Sequence, residues 1–100
     1  MGQKIETVQT MLNTIIRTSR VPALDLDADT RKLSEVRRAA QEALDAMARE
    51  GVRMAPVQEI LREIVSLSTP RENLVNLMPE WTLGYVSQCS ARAMLLTKSA

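Results

Sequence analysis

Carboxylates at alternate positions form the pattern in this sequence that most resembles a chemical site. In the segment DLDADTRKLSE they are Asp25, Asp27 and Asp29. A calcium-binding EF-hand loop places oxygen ligands at its first, third and fifth positions, glycine at the sixth and a bidentate glutamate at the twelfth. Here the sixth and twelfth positions are Thr30 and Val36. Because two of the required residues are missing, we expect no calcium site. We also expect no other metal and no cofactor in this protein.

The same acidic segment suits the start of a helix. An aspartate at the N-cap accepts a hydrogen bond from the unpaired N–H groups of the first turn, and nearby carboxylates interact favourably with the positive end of the helix dipole. We therefore predict that Asp27 or Asp29 caps a helix that begins near Thr30. Since capping requires only one carboxylate, the other two are left for solvent or for a binding partner.

The residue types argue against catalysis. The chain has no histidine, so histidine-based triads, imidazole acid–base steps and histidine metal ligands are absent. Cys89 is the only cysteine, which excludes an internal disulfide and a cysteine-based zinc site, and no histidine is available to activate its thiol. The three glycines form no phosphate-binding loop. We predict a protein that is not an enzyme.

Composition indicates a small globular protein without a strong field of either sign. A hydrophobic fraction of 45%, a charged fraction of 25% and a formal charge of +1 over 100 residues are typical of one folded domain, residues 1–100. Neither a secretory signal nor an apolar run of membrane-spanning length is found. We therefore expect a complete cytoplasmic protein with no membrane partner.

Hydrophobic periodicity predicts helices throughout the chain. Apolar residues recur at steps of three and four, and no segment alternates strictly as a strand does. We predict an all-α fold, a compact single-domain bundle of about five helices. Their approximate ranges are 3–19, 30–50, 56–67, 70–78 and 82–97.

Two proline-containing signals define the second half of the chain. Thr69, Pro70 and Glu72 have the spacing of a capping box and predict the start of the short fourth helix. Pro79 is predicted to end that helix, because proline lacks the N–H that a continuing helix requires. In the last helix, the residues predicted to face the core are Val86, Cys89, Ala93 and Leu96.

The last helix also carries apolar residues that its predicted core face does not use. Met94 and Leu95 lie off that face, and Trp81 and Tyr85, one turn apart, could anchor an interface because aromatic residues concentrate binding energy. We therefore predict a protein-binding regulator, adaptor or inhibitor that docks a helical face on a larger protein or complex, or on a second copy of itself. The partner-binding candidates are Asp25, Asp27, Asp29, Trp81, Tyr85, Met94 and Leu95.

Size and acidic charge suggest one kind of target. Small inhibitors of nucleic-acid machines, including phage-encoded ones, have this size and chemistry. If the target normally grips nucleic acid, the surplus aspartates could occupy its basic cleft in place of phosphates.

A DNA-binding regulator is the alternative. Residues 70–97 have the order of a helix-turn-helix, and the last helix would present Tyr85, Ser87, Gln88 and Arg92 to a groove. Against this interpretation, the turn carries Pro79 where glycine is usual, and few basic residues surround the reading helix to contact phosphates.

Overall fold

The protein is an all-α bundle in its computed structural model, which describes residues 2–21, 25–69 and 79–99. These residues form four helices: α1 (Gly2–Arg20), α2 (Leu26–Glu50), α3 (Ala55–Ser68) and α4 (Pro79–Ser99). The described ranges contain no strand, which confirms the predicted all-α class. The count of five helices is not reproduced, and the short helix predicted over residues 70–78 lies outside the described residues.

Asp25, rather than Asp27 or Asp29, caps α2. Its backbone is extended (φ −128°, ψ 122°), and its carboxylate accepts a hydrogen bond from the N–H of Asp27 at 3.3 Å. Its carbonyl accepts the N–H of Asp29 at 2.8 Å, which closes the first helical turn. An N-cap must be extended and immediately precede the helix, and the first aspartate meets both conditions. Consequently α2 begins at Leu26, four residues earlier than predicted.

Helix α2 ends at the glycine that the sequence indicated. Gly51 adopts a left-handed conformation with φ 70°, and its N–H donates to the carbonyl of Met47. Residues with a Cβ rarely adopt this conformation, so glycine is favoured there.

The N-terminus of α4 lies three residues earlier than predicted. Pro79 is the first residue of α4, whereas the last helix was predicted to begin near residue 82, and the residues directly before Pro79 lie outside the described ranges. Proline is well tolerated there, because the first N–H groups of a helix have no partner in the helix and the fixed φ already suits it. Thr69, the first residue of the predicted capping box, donates its hydroxyl to the carbonyl of Val65 at 2.6 Å. Pro70 and Glu72 lie outside the described residues.

The helices run alternately up and down. Each helix packs against the next along the chain, α1 packs against α4, and α2 contacts α4 across the middle of the bundle. Antiparallel packing of α1 and α4 is shown by Gln9 Nε2, which donates to Thr97 Oγ1 at 3.1 Å. The short connections between α1 and α2 and between α2 and α3 favour this arrangement.

The shared core is built from small and aliphatic side chains. Its buried members include Leu12, Ile15, Met47, Leu61, Ile64 and Leu83. On α2 the buried stripe is largely alanine, at positions 39, 40, 43 and 46, and small residues let helices approach closely. No helix in the described part of the chain is both long and apolar enough to span a bilayer.

Buried hydroxyls in this core differ in their hydrogen bonding. Ser19 and Ser68 donate to the carbonyls of Ile15 and Ile64, four residues earlier. Ser90 Oγ is equally buried, yet no hydrogen-bond partner lies within reach. The inner side of α4 therefore contains one polar atom whose burial is uncompensated.

Candidate functional site

The outward side of α4 is the surface of the molecule that the core does not explain. We call it the α4 outer face. Its exposed members are Gly84, Tyr85, Gln88, Ala91, Arg92, Leu95 and Lys98. At 100° per residue these positions span an arc of about 140°, centred on Gln88 and Leu95. Tyr85 is 47% exposed and Leu95 is 64% exposed. Two large apolar side chains thus lie in solvent on one helix.

Tyr85 is held in place by the neighbouring helix. Its phenol O–H donates to Glu63 Oε1 of α3 at 3.0 Å. This hydrogen bond to the carboxylate raises the pKa of Tyr85 above its ordinary value, because it favours the protonated phenol. Leu67, one turn beyond Glu63 on α3, is exposed as well. The end of α3 therefore exposes an apolar side chain as well.

Cys89 lies beside the Tyr85 edge of this face. The side chain is 4% exposed and belongs to the core cluster. Burial raises the pKa of the Cys89 thiol, since a low-polarity environment disfavours the thiolate. A thiol of this kind is a packing group with low nucleophilicity at neutral pH.

Met94 is not available as a contact residue on the surface. It is 8% exposed and packs in the core with Leu83, Val86 and Ala93. Leu96, which the sequence assigned to the core, is only partly buried. The buried side of α4 is therefore rotated relative to the prediction, because it must face both α1 and α2. Leu95 remains outward, and the side chain of Trp81 lies outside the described residues.

The acidic residues do not form one surface. Asp25 and Asp27 are exposed, whereas Asp29 is 2% exposed. Two residues apart on a helix correspond to a rotation of about 200°, so Asp27 and Asp29 point to opposite sides. Asp29 therefore leaves the set of partner contacts. Among the described residues, no group of three or more histidine, cysteine, aspartate or glutamate side chains could hold a metal ion.

The acidic end of α2 and the α4 outer face lie on different parts of the surface. Both Asp25 and Tyr85 belong to the end of the bundle where α2 and α4 begin. However, α2 and α4 occupy diagonal positions, each flanked by α1 and α3. A partner that covers Leu95 therefore reaches Asp25 and Asp27 only if it also wraps around this end.

The four residues predicted to contact DNA differ in their exposure to solvent. Tyr85, Gln88 and Arg92 are exposed on α4, and Ser87 is half-buried. The carboxylate of Glu63 bonded to Tyr85 places negative charge beside this set, which disfavours phosphate.

Basic side chains gather on another helix pair. Arg37 and Arg38 line a surface groove of about 350 Å³ between α2 and α3. Glu42 lines the same groove, so its charge is mixed. This groove lies between α2 and α3, whereas the α4 outer face points away from α2, so the two do not form one basic surface.

Sequence reasoning missed Gly84, a member of the α4 outer face, and Glu63, the neighbour of that face on α3. The contact between Glu63 and Tyr85 follows from the packing of α3 on α4. A helical wheel centred on Leu95 would have placed Gly84 beside Gln88 and Ala91.

No protein-family model matches this chain, and neither a curated protein nor a solved structure is significantly similar to it. Any function assigned to the α4 outer face must therefore be argued from its residues alone.

Proposed function

We propose that this protein is a non-enzymatic regulator, adaptor or inhibitor that binds a larger protein through the α4 outer face. The observation that supports this proposal is the simultaneous exposure of Tyr85 and Leu95 on one helix. Apolar side chains in solvent gain free energy when a partner covers them, by roughly 25 cal/mol for each Å² buried. Rigid aromatic side chains with one polar end are the residues that most often dominate such interfaces.

The polar residues of the face provide selectivity. Arg92 is exposed on the same flank as Tyr85, and Glu63 lies next to the Tyr85 hydroxyl. A partner that docks here meets an apolar strip bordered by two cations, Arg92 and Lys98, and by the carboxylate of Glu63. Charges at the rim of an interface mainly discriminate between partners and speed association, whereas the buried apolar contacts supply the affinity.

Asp25 and Asp27 form a second, electrostatic part of this proposal. In an inhibitor of a nucleic-acid-handling complex, these exposed carboxylates meet a basic surface that otherwise binds phosphates. Because Asp25 is the N-cap of α2, a substitution that removes its charge must preserve the cap. Asparagine caps helices as well as aspartate does, so Asp25→Asn with Asp27→Asn removes two charges without removing the cap. We expect weaker partner binding with an unchanged circular-dichroism melt.

The principal experiment is affinity capture from the native host with matched variants. We expect a specific host protein to be recovered with the wild-type chain and lost with the double variant Tyr85→Ala/Leu95→Ala. The control is Val21→Ala, because Val21 is 68% exposed and directly follows α1, outside the α4 outer face. Equal recovery with the double variant would show that the α4 outer face is not the binding site.

A direct DNA-binding assay distinguishes the alternative. Binding to duplex DNA that weakens steeply with salt and is lost in Arg92→Ala would replace the present proposal, since phosphate contacts release counterions. We expect fluorescence anisotropy of labelled duplexes to show no such binding at low salt.

A further inference from the structure

We infer that the α4 outer face is self-complementary and pairs two copies of this chain, α4 against α4, antiparallel about a two-fold axis. The inference concerns the same face as the proposed function and names a second copy as its occupant when the larger partner is absent. It does not depend on the identity of that partner. Symmetric dimers require a patch in which each feature meets its complement in the same patch of the other copy.

The spacing of the exposed residues is that of a helix-pairing seam. Gly84, Gln88, Ala91 and Leu95 are separated by steps of four, three and four, which is the heptad spacing of positions that meet in coiled coils. In an antiparallel pair centred between residues 89 and 90, Gly84 lies opposite Leu95 of the second copy. Gln88 then lies opposite Ala91 of the second copy. Every seam position of one copy thus meets a seam position of the other.

The shapes at these positions are complementary. Leu95 projects into solvent, and Gly84 presents no side chain at all. A Cβ built on Gly84 would meet no atom within 4 Å, so the fold of a single chain does not require glycine there. Glycine inside a helix is unfavourable relative to alanine. In the dimer, Gly84 leaves space for Leu95 of the second copy. Glycine at this position thus has a role that it does not have in the isolated chain.

The charges are complementary about the same axis. Tyr85 and Arg92 occupy one flank of the seam, and the Tyr85 hydroxyl is bonded to Glu63. The two-fold axis brings Arg92 of each copy to Tyr85 and Glu63 of the other. An arginine over a tyrosine ring and an arginine beside a carboxylate are both attractive contacts. The central Gln88 fixes the register, as polar seam residues do in coiled coils.

The size of the seam limits the strength of the dimer. One pair of helices over residues 84–98 buries less than the roughly 1,600 Å² of a standard stable interface. We therefore expect a reversible dimer with a micromolar dissociation constant. Such a dimer covers Leu95 in the free protein and still yields to a larger partner that contacts the α4 outer face.

The first test is a charge exchange measured by analytical ultracentrifugation of the full chain. We expect the wild type to change from monomer to dimer across the micromolar range. Glu63→Arg and Arg92→Glu should each weaken dimerisation by about tenfold, because each places like charges together. An equimolar mixture of the two variants should restore it, since every Arg then faces a Glu. Glu42→Arg on α2 is the control, and it should dimerise like the wild type.

The second test separates folding from association at Gly84. Gly84→Ala should raise the melting temperature of the monomer because alanine favours the helix. The same change should weaken the dimer by about tenfold, since the added methyl fills the space for Leu95 of the second copy. A raised melting temperature with unchanged dimerisation would contradict the inferred register.

The outcomes distinguish this inference from the proposed function. A wild-type chain that stays monomeric through the micromolar range overturns the dimer, as does a mixture of charge variants that fails to recover. Neither result bears on capture of a host protein, which depends on Tyr85 and Leu95. Circular-dichroism melts of each variant separate loss of pairing from loss of folding.

Discussion

Helices α2 and α4 contact each other in the middle of the bundle, yet they divide their residues differently. On α2 the inward side is alanine, valine and methionine, and the outward side carries charged residues such as Arg38, Glu42 and Asp45. On α4 the inward side is mostly apolar, with the buried hydroxyls of Ser90 and Thr97, and the outward side exposes Tyr85 and Leu95. The outer side of α2 therefore has the composition of a solvent-exposed surface, whereas that of α4 has a composition typical of a contact with another protein.

The largest expected effect separates the two sides of α4. Leu83 is fully buried, so Leu83→Ala should lower the free energy of unfolding by about 3 kcal/mol through lost burial and the cavity left behind. Leu95→Ala removes the same atoms from an exposed position and should change stability by less than about 0.5 kcal/mol. Urea denaturation at low protein concentration measures both. Similar losses in the two variants would mean that Leu95 contributes to the core.

An overpacking experiment compares α2 with α4 directly. Ala43 is fully buried on α2, so Ala43→Leu should destabilise the protein by about 2 kcal/mol as the neighbouring helices are forced apart. Ala91→Leu enlarges an exposed alanine on the α4 outer face and should leave stability within about 0.5 kcal/mol of the wild type. Thermal melts of the pair suffice. If Ala43→Leu proves harmless, the alanine stripe of α2 does not set the helix spacing.

A smaller effect concerns the inward side of α4. Ser90→Ala should stabilise the protein by about 1 kcal/mol, because it removes a buried hydroxyl that has no hydrogen-bond partner. Ser68→Ala is the matched control, since Ser68 donates to the carbonyl of Ile64 at 2.5 Å. The control should gain nothing in denaturant melts. Destabilisation by Ser90→Ala would indicate that this hydroxyl makes a compensating contact.

The smallest expected effect is a shift in the pKa of Tyr85, which is measured by absorbance spectroscopy. Tyr85 is the only tyrosine, so tyrosinate absorbance reports its ionisation alone. Its hydrogen bond to Glu63 raises the pKa above 10.0. The folded state favours the protonated phenol, so this bond contributes stability that is complete below the unfolded pKa and is lost as pH rises through the folded pKa. Glu63→Ala should lower the midpoint towards its ordinary value, and an unchanged midpoint would exclude the contact.

Much of the fold could be predicted from the sequence because helical periodicity is a local signal. Helices α1, α2 and α3 occupy nearly the predicted ranges, and the stop at Gly51 is where a left-handed residue was expected. The start of α2 could not be fixed, since three aspartates at alternate positions are equally good caps by residue type. The helix assignment of Pro79 was ambiguous for a related reason, because proline is compatible both with the position that follows a helix and with the first position of the next one.

The candidate site was less accessible to sequence reasoning. Leu95 was assigned to the outside, where it lies, but Met94 was assigned there too and is buried. Both are apolar, so only the positions of α1 and α2 around α4 decide which one faces inward. Glu63 is separated from Tyr85 by 22 positions, and a pairing across two helices leaves no trace in local spacing.

The alanine stripe of α2 has a thermodynamic consequence. Heat capacity rises on unfolding in proportion to the apolar surface that becomes hydrated, by about 1.2–1.5 kcal/mol/K for an ordinary domain of this length. The chain has no phenylalanine, and α2 buries alanine methyl groups where larger side chains are usual. We expect an increment at or below the lower end of that range. The curve of unfolding free energy against temperature should consequently be less strongly curved, and calorimetry would record only a small step between the folded and unfolded baselines.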